Sequence, residues 1–222
     1  YRYLFLFTQF TLVGMLLTFP FTGYALFSII FSTLFLFASY GFAWLFIKNT
    51  SLALKRTNSY RCIKTALIYM AISSIGPWTL GGIMSTLGPT SDWYRIAIYF
   101  YLHFQYNGWM TLALLGIFFF VLEQKNILLP KKTFKTIYWS LNLGIILTFF
   151  LSVLFTNPGA FLYIISGLGG LLQFWALIQL FIMNKELNKP WDAILSRFEF
   201  GLLKILSILL AIKMILQLLT AL

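Results

Sequence analysis

Long, uninterrupted runs of apolar residues dominate the pattern along this chain. A transmembrane helix needs roughly 20 apolar residues in succession, whereas a membrane β-strand shows about ten residues of alternating polarity. The runs here are long and do not alternate. They predict about seven spans, with six to eight as the range, over residues 1–18, 24–47, 62–86, 94–122, 136–155, 159–183 and 199–221.

The composition agrees with this prediction. The chain has 222 residues, of which 60% are hydrophobic and only 9% are charged, a balance that a water-soluble domain of this size cannot keep off its surface. We therefore predict an all-α fold: a polytopic integral membrane helix bundle with short loops, forming a single transmembrane domain over residues 1–222. Because residue 1 is Tyr and the first span begins at once, we expect the chain to be a piece of a longer one.

The positive charges predict the orientation of the chain in the bilayer. Cytoplasmic loops keep Lys and Arg, and thirteen of the sixteen basic residues fall on one set of alternate connections, against Arg95 alone on the other set. This pattern predicts a cytoplasmic N-terminus in a plasma membrane or bacterial inner membrane. The thirteen are Arg2, Lys48, Lys55, Arg56, Arg61, Lys64, Lys125, Lys131, Lys132, Lys135, Lys185, Lys189 and Arg197.

The net charge of +11 is explained by this sidedness and by attraction to anionic lipid headgroups. We therefore expect no nucleic-acid partner. The expected partners are the lipid bilayer, a small ligand, and other membrane subunits or further copies of the chain.

Two ionisable residues are predicted to lie at membrane depth, where such groups are costly and mark candidate sites. His103, the sole histidine, is about nine residues into the fourth span, or roughly 13 Å. Lys213 is about fourteen residues into the seventh span from the opposite side, or roughly 21 Å. In a hydrocarbon layer of about 30 Å, the two side chains share a depth.

Helical spacing places several polar residues beside His103. Offsets of three and four residues share one helix face, which aligns Tyr99, Tyr106 and Asn107 with His103. In the third span, Pro77 predicts a kink beside Trp78, since proline cannot donate the usual backbone hydrogen bond. The sequence thus predicts an outward-facing ligand pocket lined by His103, Tyr99, Tyr106, Asn107, Trp78 and Lys213.

Each of these groups also has a purely structural interpretation. His103 flanked by Tyr and Asn is typical of a packing residue whose hydrogen bonds are satisfied within the protein, and Lys213 can extend its charged end towards the headgroups. The five acids all fall in loops or at helix ends, so no paired carboxylates and no metal-binding cluster are expected within the membrane. No catalytic residue is predicted.

The stretch Tyr101–Trp109, with the sequence YLHFQYNGW, resembles the histidine-bearing helices of haem-copper oxidase catalytic subunits over nine residues. That family uses several membrane histidines, whereas this chain has one. The resemblance implies at most a haem-binding redox subunit, with His103 as a metal ligand and Met70, Met84 or Met214 as the second axial ligand.

Three functions follow from the sequence. The first is binding or passage of a small ligand around His103, anionic because two basic groups lie there without a buried acid. The second is the haem-bearing redox subunit. The third is a structural subunit of a larger membrane complex.

Overall fold

The computed structural model describes residues 1–23, 25–186 and 196–220, with only the backbone of 184–186. It is 88% helical, and the described residues contain no strand. Seven helical spans in this part of the chain are long and apolar enough to cross a membrane, which confirms the predicted helix bundle and the count of spans. Lys189, Pro190 and Asp192 lie outside the described residues. The spans are Arg2–Thr22, Leu26–Asn49, Asn58–Thr86, Asp92–Gln124, Lys131–Thr156, Ala160–Met183 and Arg197–Leu219.

Nine α-helices of the described residues build these spans, because two spans are divided, and a tenth, short α-helix lies between the second and third spans. They are α1 (Arg2–Thr22), α2 (Leu26–Asn49), α3 (Leu52–Lys55), α4 (Asn58–Ser73), α5 (Ile75–Thr86), α6 (Asp92–His103), α7 (Thr111–Gln124), α8 (Lys131–Thr148), α9 (Ala160–Glu186) and α10 (Arg197–Leu219). A π-helical segment, Phe104–Met110, joins α6 to α7, and a 3₁₀ segment, Phe149–Thr156, continues α8.

The chain divides into two compact units, Tyr1–Arg56 and Thr57–Leu222. The N-terminal unit is a hairpin of α1 and α2. Its helices approach through small and hydroxyl-bearing residues, as membrane helices commonly do: Gly14 lies against the ring of Phe31, and Thr22 and Ser28 share a hydrogen bond of 3.0 Å.

The C-terminal unit holds the other five spans: the third packs against the fourth, the fifth against the sixth, and the seventh against the sixth. Glycines permit the closest approaches, because a Cβ at Gly116 would lie 3.2 Å from the Ser59 carbonyl oxygen, and one at Gly169 would lie 2.7 Å from the Thr148 nitrogen. The first contact joins α4 to α7, and the second joins α9 to α8.

One end of this unit carries most of the basic residues of its spans, and we call it the basic end. It is formed where α4 and α8 begin and where α7 and α9 end. An apolar cluster fills the space between these four helix ends. Its buried residues are Cys62, Phe119, Leu122, Ile127, Leu129, Phe134, Ile137 and Met183. Glu123 lies there too, and its carboxylate accepts hydrogen bonds from the backbone N–H groups of Asn58 (2.9 Å) and Ser59 (3.1 Å).

The predicted interruption of the third span is present. Helix α4 ends at Ser73, and α5 begins at Ile75. The break does not open a space beside Gly76, because a Cβ there would lie 2.5 Å from the Ala97 carbonyl oxygen. The irregular backbone thus brings the third and fourth spans together.

Candidate functional site

A wide, open cavity of about 490 Å³ lies at the end of the C-terminal unit opposite the basic end. Its volume is typical of small-molecule sites, which measure about 300–1,000 Å³. Three spans contribute side chains to its wall. The lining residues are Tyr99, His103 and Asn107 from the fourth span, Thr148, Leu151, Ser152 and Phe155 from the fifth, and Lys213, Gln217 and Thr220 from the seventh.

His103 is held by two hydrogen bonds within the protein. Its Nε2 atom lies 2.8 Å from the Ile145 carbonyl oxygen, and its Nδ1 atom lies 3.1 Å from Asn107 Nδ2. A carbonyl oxygen can only accept, so Nε2 carries a proton and donates it. In the neutral ring, Nδ1 then accepts from the Asn107 amide. The side chain is only 6% exposed, and it joins the fourth span to the fifth.

The Ile145 carbonyl is available to His103 because α8 changes its geometry at this point. In a continuing α-helix the N–H of Phe149 would donate to Ile145, but it donates to the carbonyls of Ile146 and Leu147 as the 3₁₀ segment begins. The oxygen released in this way needs another donor in a membrane interior. His103 supplies that donor at 2.8 Å, and the Thr148 hydroxyl adds a longer hydrogen bond of 3.3 Å.

A second set of buried hydrogen bonds extends from the cavity wall into the sixth span. Thr148 Oγ1 accepts from Gln173 Nε2 at 2.7 Å and donates to the Gly144 carbonyl at 2.8 Å. Gln173 is 1% exposed. The fifth span is therefore tied to the fourth through Ile145 and to the sixth through Thr148, which fixes the wall of the cavity.

The π-helical segment changes which residues of the fourth span face the cavity. Its wider turn keeps positions four residues apart aligned but rotates positions three residues apart away from each other. Asn107 therefore stays beside His103. Tyr106, predicted to share that face, is 57% exposed and does not line the cavity. The straight α-helical spacing assumed from the sequence is the reason for this difference.

Trp78 also lies away from the cavity wall, on α5, and is 47% exposed. The predicted pocket placed the kink of the third span beside His103. In the structure, spans five and seven supply that wall instead. Of the six residues predicted to form the site, Tyr99, His103, Asn107 and Lys213 line one cavity.

The seventh span contributes two residues that the sequence analysis missed. Gln217 and Thr220 follow Lys213 by four and seven residues, so one helix face carries all three. That spacing was visible in the sequence. The contribution of the fifth span was not, because Thr148, Ser152 and Phe155 lie where the α-helix gives way to the 3₁₀ segment.

Lys213 brings a cationic side chain to a wall that is otherwise neutral. It forms no ion pair with an acid in the described part of the chain. A second cation lies nearby, because the Arg95 guanidinium is 5.7 Å from the centre of the Phe155 ring, one of the cavity residues. Asp92, Glu123 and Glu199 all lie at helix ends, as predicted.

A haem does not fit His103 as it is held here. Iron binds a ring nitrogen through a free lone pair, but Nε2 carries a proton and Nδ1 accepts from Asn107. Binding would require one of these two bonds to break. Of the methionines predicted as second ligands, Met70 and Met214 are buried in the core and Met84 is exposed, and none lines the cavity.

No protein-family model, no curated protein and no solved structure matches the chain.

Proposed function

We propose that this chain is an integral membrane protein that binds or passes a small anionic ligand in the cavity beside His103. The observation that carries the proposal is the Lys213 side chain, which lines a cavity of ligand size without an acidic partner in the described residues. Lys213 is half-buried between membrane helices, where an unpaired cation is costly, and a bound anion offsets that cost. Arg95 adds positive charge on the same side and attracts anions towards the cavity.

His103 is assigned a positioning role in this proposal. Both ring nitrogens are engaged within the protein, so the imidazole orients Asn107 and fixes the fifth span. We assign no catalytic residue. Other membrane subunits or further copies of the chain remain proposed partners, alongside the bilayer.

The ligand proposal is tested by titrating the purified protein with small anions in a calorimeter. Suitable probes are pentanoate, 4-hydroxybutyrate and inorganic phosphate, with uncharged 1,4-butanediol as the reference. We expect at least one anion to bind and the diol to bind more weakly. Lys213→Met should weaken anion binding by about tenfold or more, the loss expected when a charge-assisted hydrogen bond is removed.

Lys204→Met is the matched control, because Lys204 lies on the same helix but is exposed over the Phe200 ring, 4.4 Å from its centre. This variant should bind as wild type does. If none of the anions binds wild type, the cavity proposal is wrong and the structural-subunit alternative takes its place.

We also propose the orientation that the charge pattern predicts, with the N-terminus and the basic end in the cytoplasm and the cavity opening outside. The native Cys62 is fully buried, so we expect thiol reagents to label only the introduced cysteines. In intact cells, a membrane-impermeant thiol reagent should label Thr90→Cys and not Lys132→Cys, two exposed positions at opposite ends of the unit. Labelling of Lys132→Cys alone would show that the chain has the opposite orientation.

A further inference from the structure

Two buried carbonyl oxygens beside the cavity have no hydrogen-bond donor within the described part of the chain: Asn107 Oδ1 and Gln217 Oε1. Both residues line the cavity, one from the fourth span and the other from the seventh. A buried acceptor without a partner costs roughly 1–3 kcal/mol, and natural proteins contain few of them. Two such oxygens in the wall of one cavity therefore point to a donor that arrives with the ligand.

The orientation of the Asn107 amide is fixed by its neighbour. His103 donates from Nε2 to Ile145, which leaves Nδ1 as an acceptor. Only the NH₂ group of Asn107 can satisfy that acceptor, at 3.1 Å. Rotating the amide by half a turn would place an oxygen against a lone pair, so Oδ1 must face away from the histidine.

The cavity therefore presents two kinds of chemistry side by side. Lys213 can bind an anionic group of a ligand, and the two amide oxygens can accept hydrogen bonds from it. Gln217 follows Lys213 by about one helical turn, so the Cα atoms of the two residues are about 6 Å apart along the axis. Leu151 and Phe155 add an apolar surface to the same wall.

We infer that the ligand is a small organic acid that carries a hydroxyl or amino group about one helical turn from its acidic group. This inference rests on the proposed function and narrows it to one ligand class. A simple anion such as chloride would satisfy Lys213 and leave both oxygens without donors. An uncharged alcohol would satisfy the oxygens and leave Lys213 unpaired.

Two matched pairs of acids test the inference by calorimetric titration of the purified full chain. The first pair is 4-hydroxybutyrate and pentanoate, in which a methyl group replaces the hydroxyl. The second is 3-(4-hydroxyphenyl)propanoate and 3-(4-methylphenyl)propanoate, which offer an aromatic ring to Phe155. In at least one pair we expect the hydroxylated acid to bind about tenfold more tightly, because its analogue leaves buried acceptors unpaired.

The variant Gln217→Met removes one acceptor while keeping the length of the side chain. It should reduce the ratio of the affinity for 4-hydroxybutyrate to the affinity for pentanoate severalfold. Gln9→Met, at an exposed position in the N-terminal unit, is the matched control and should change neither affinity.

The possible results distinguish a failure of the donor requirement from a failure of anion binding. If hydroxylated and methylated acids bind wild type equally well, the donor requirement is wrong and anion binding stands. An unchanged preference in Gln217→Met would overturn the role given to that residue. If no acid of either pair binds, the inference fails, and the proposed function fails with it unless inorganic phosphate binds.

Discussion

The polar groups buried at the two ends of the C-terminal unit differ in whether their hydrogen bonds are complete. At the basic end, Glu123 accepts from two backbone N–H groups and from the Ser59 hydroxyl, and an apolar cluster closes around the helix ends. At the cavity end, Asn107 and Gln217 keep buried oxygens without donors, and Lys213 lacks an acidic partner in the described residues.

The comparison separates stability from binding. A polar group whose bonds are complete holds helices together, whereas one whose bonds are incomplete costs free energy unless something binds to it. Both carboxylate oxygens of Glu123 accept hydrogen bonds, so no acceptor is left without a donor there. We therefore expect substitutions at the basic end to change the unfolding temperature, and substitutions at the cavity end to change ligand affinity.

The largest effect is expected for Glu123→Ala. The change removes the acceptor for the N–H groups of Asn58 and Ser59, which begin α4, and leaves them without a partner. We expect a loss of roughly 3 kcal/mol in the free energy of unfolding. In a protein of this length, that corresponds to a fall of about 6–12 °C in the unfolding temperature, measured in detergent.

Two further substitutions control for this result. Glu123→Gln keeps one carbonyl oxygen as an acceptor and should lose less than half as much stability. Lys132→Ala, an exposed change at the same end, should leave the unfolding temperature within about 1 °C of wild type. A Glu123→Ala protein as stable as wild type would show that the carboxylate does not hold α4 to α7.

A smaller loss is expected for His103→Leu. It removes the shorter of the two hydrogen bonds to the Ile145 carbonyl and the acceptor for the Asn107 amide. Hydrogen bonds between membrane helices contribute roughly 1–2 kcal/mol. The unfolding temperature should fall by about 2–8 °C. Binding of 4-hydroxybutyrate should weaken as well, because Asn107 is no longer held in position.

The hydrogen bonding of His103 can be measured directly, because it is the sole histidine in the chain. Protein labelled with ¹⁵N-histidine should give one pair of ring signals, with the proton on Nε2. A proton on Nδ1 would contradict the bond to Ile145 and, with it, the orientation of the Asn107 amide.

No effect on binding is expected for Tyr106→Phe or Trp78→Phe. Both residues were predicted from the sequence to line the pocket, and both lie off the cavity wall in the structure. Tyr99→Phe is the comparison, since Tyr99 does line the cavity and packs edge-on against Phe155 with ring centres 5.6 Å apart. Weaker binding of 4-hydroxybutyrate by Tyr106→Phe than by Tyr99→Phe would favour the straight helix assumed from the sequence.

The sequence alone determined the number and approximate limits of the spans, because a helix in hydrocarbon must bond its own backbone and needs a fixed length of apolar residues. It also identified His103 and Lys213, since ionisable residues are rare at membrane depth. The alignment of Asn107 with His103 followed from helical spacing. Each of these conclusions depends only on residues close together in the chain.

Only the tertiary structure decided which backbone groups and spans form the site. The π-helical segment turns Tyr106 away, the 3₁₀ segment frees the Ile145 carbonyl, and Glu123 reaches the start of α4 from 65 residues away. Local spacing fixes which residues share a helix face but not which neighbouring span that face meets. Packing between spans settles that choice, because close approach at glycines such as Gly116 and Gly169 depends on side chains far away in sequence.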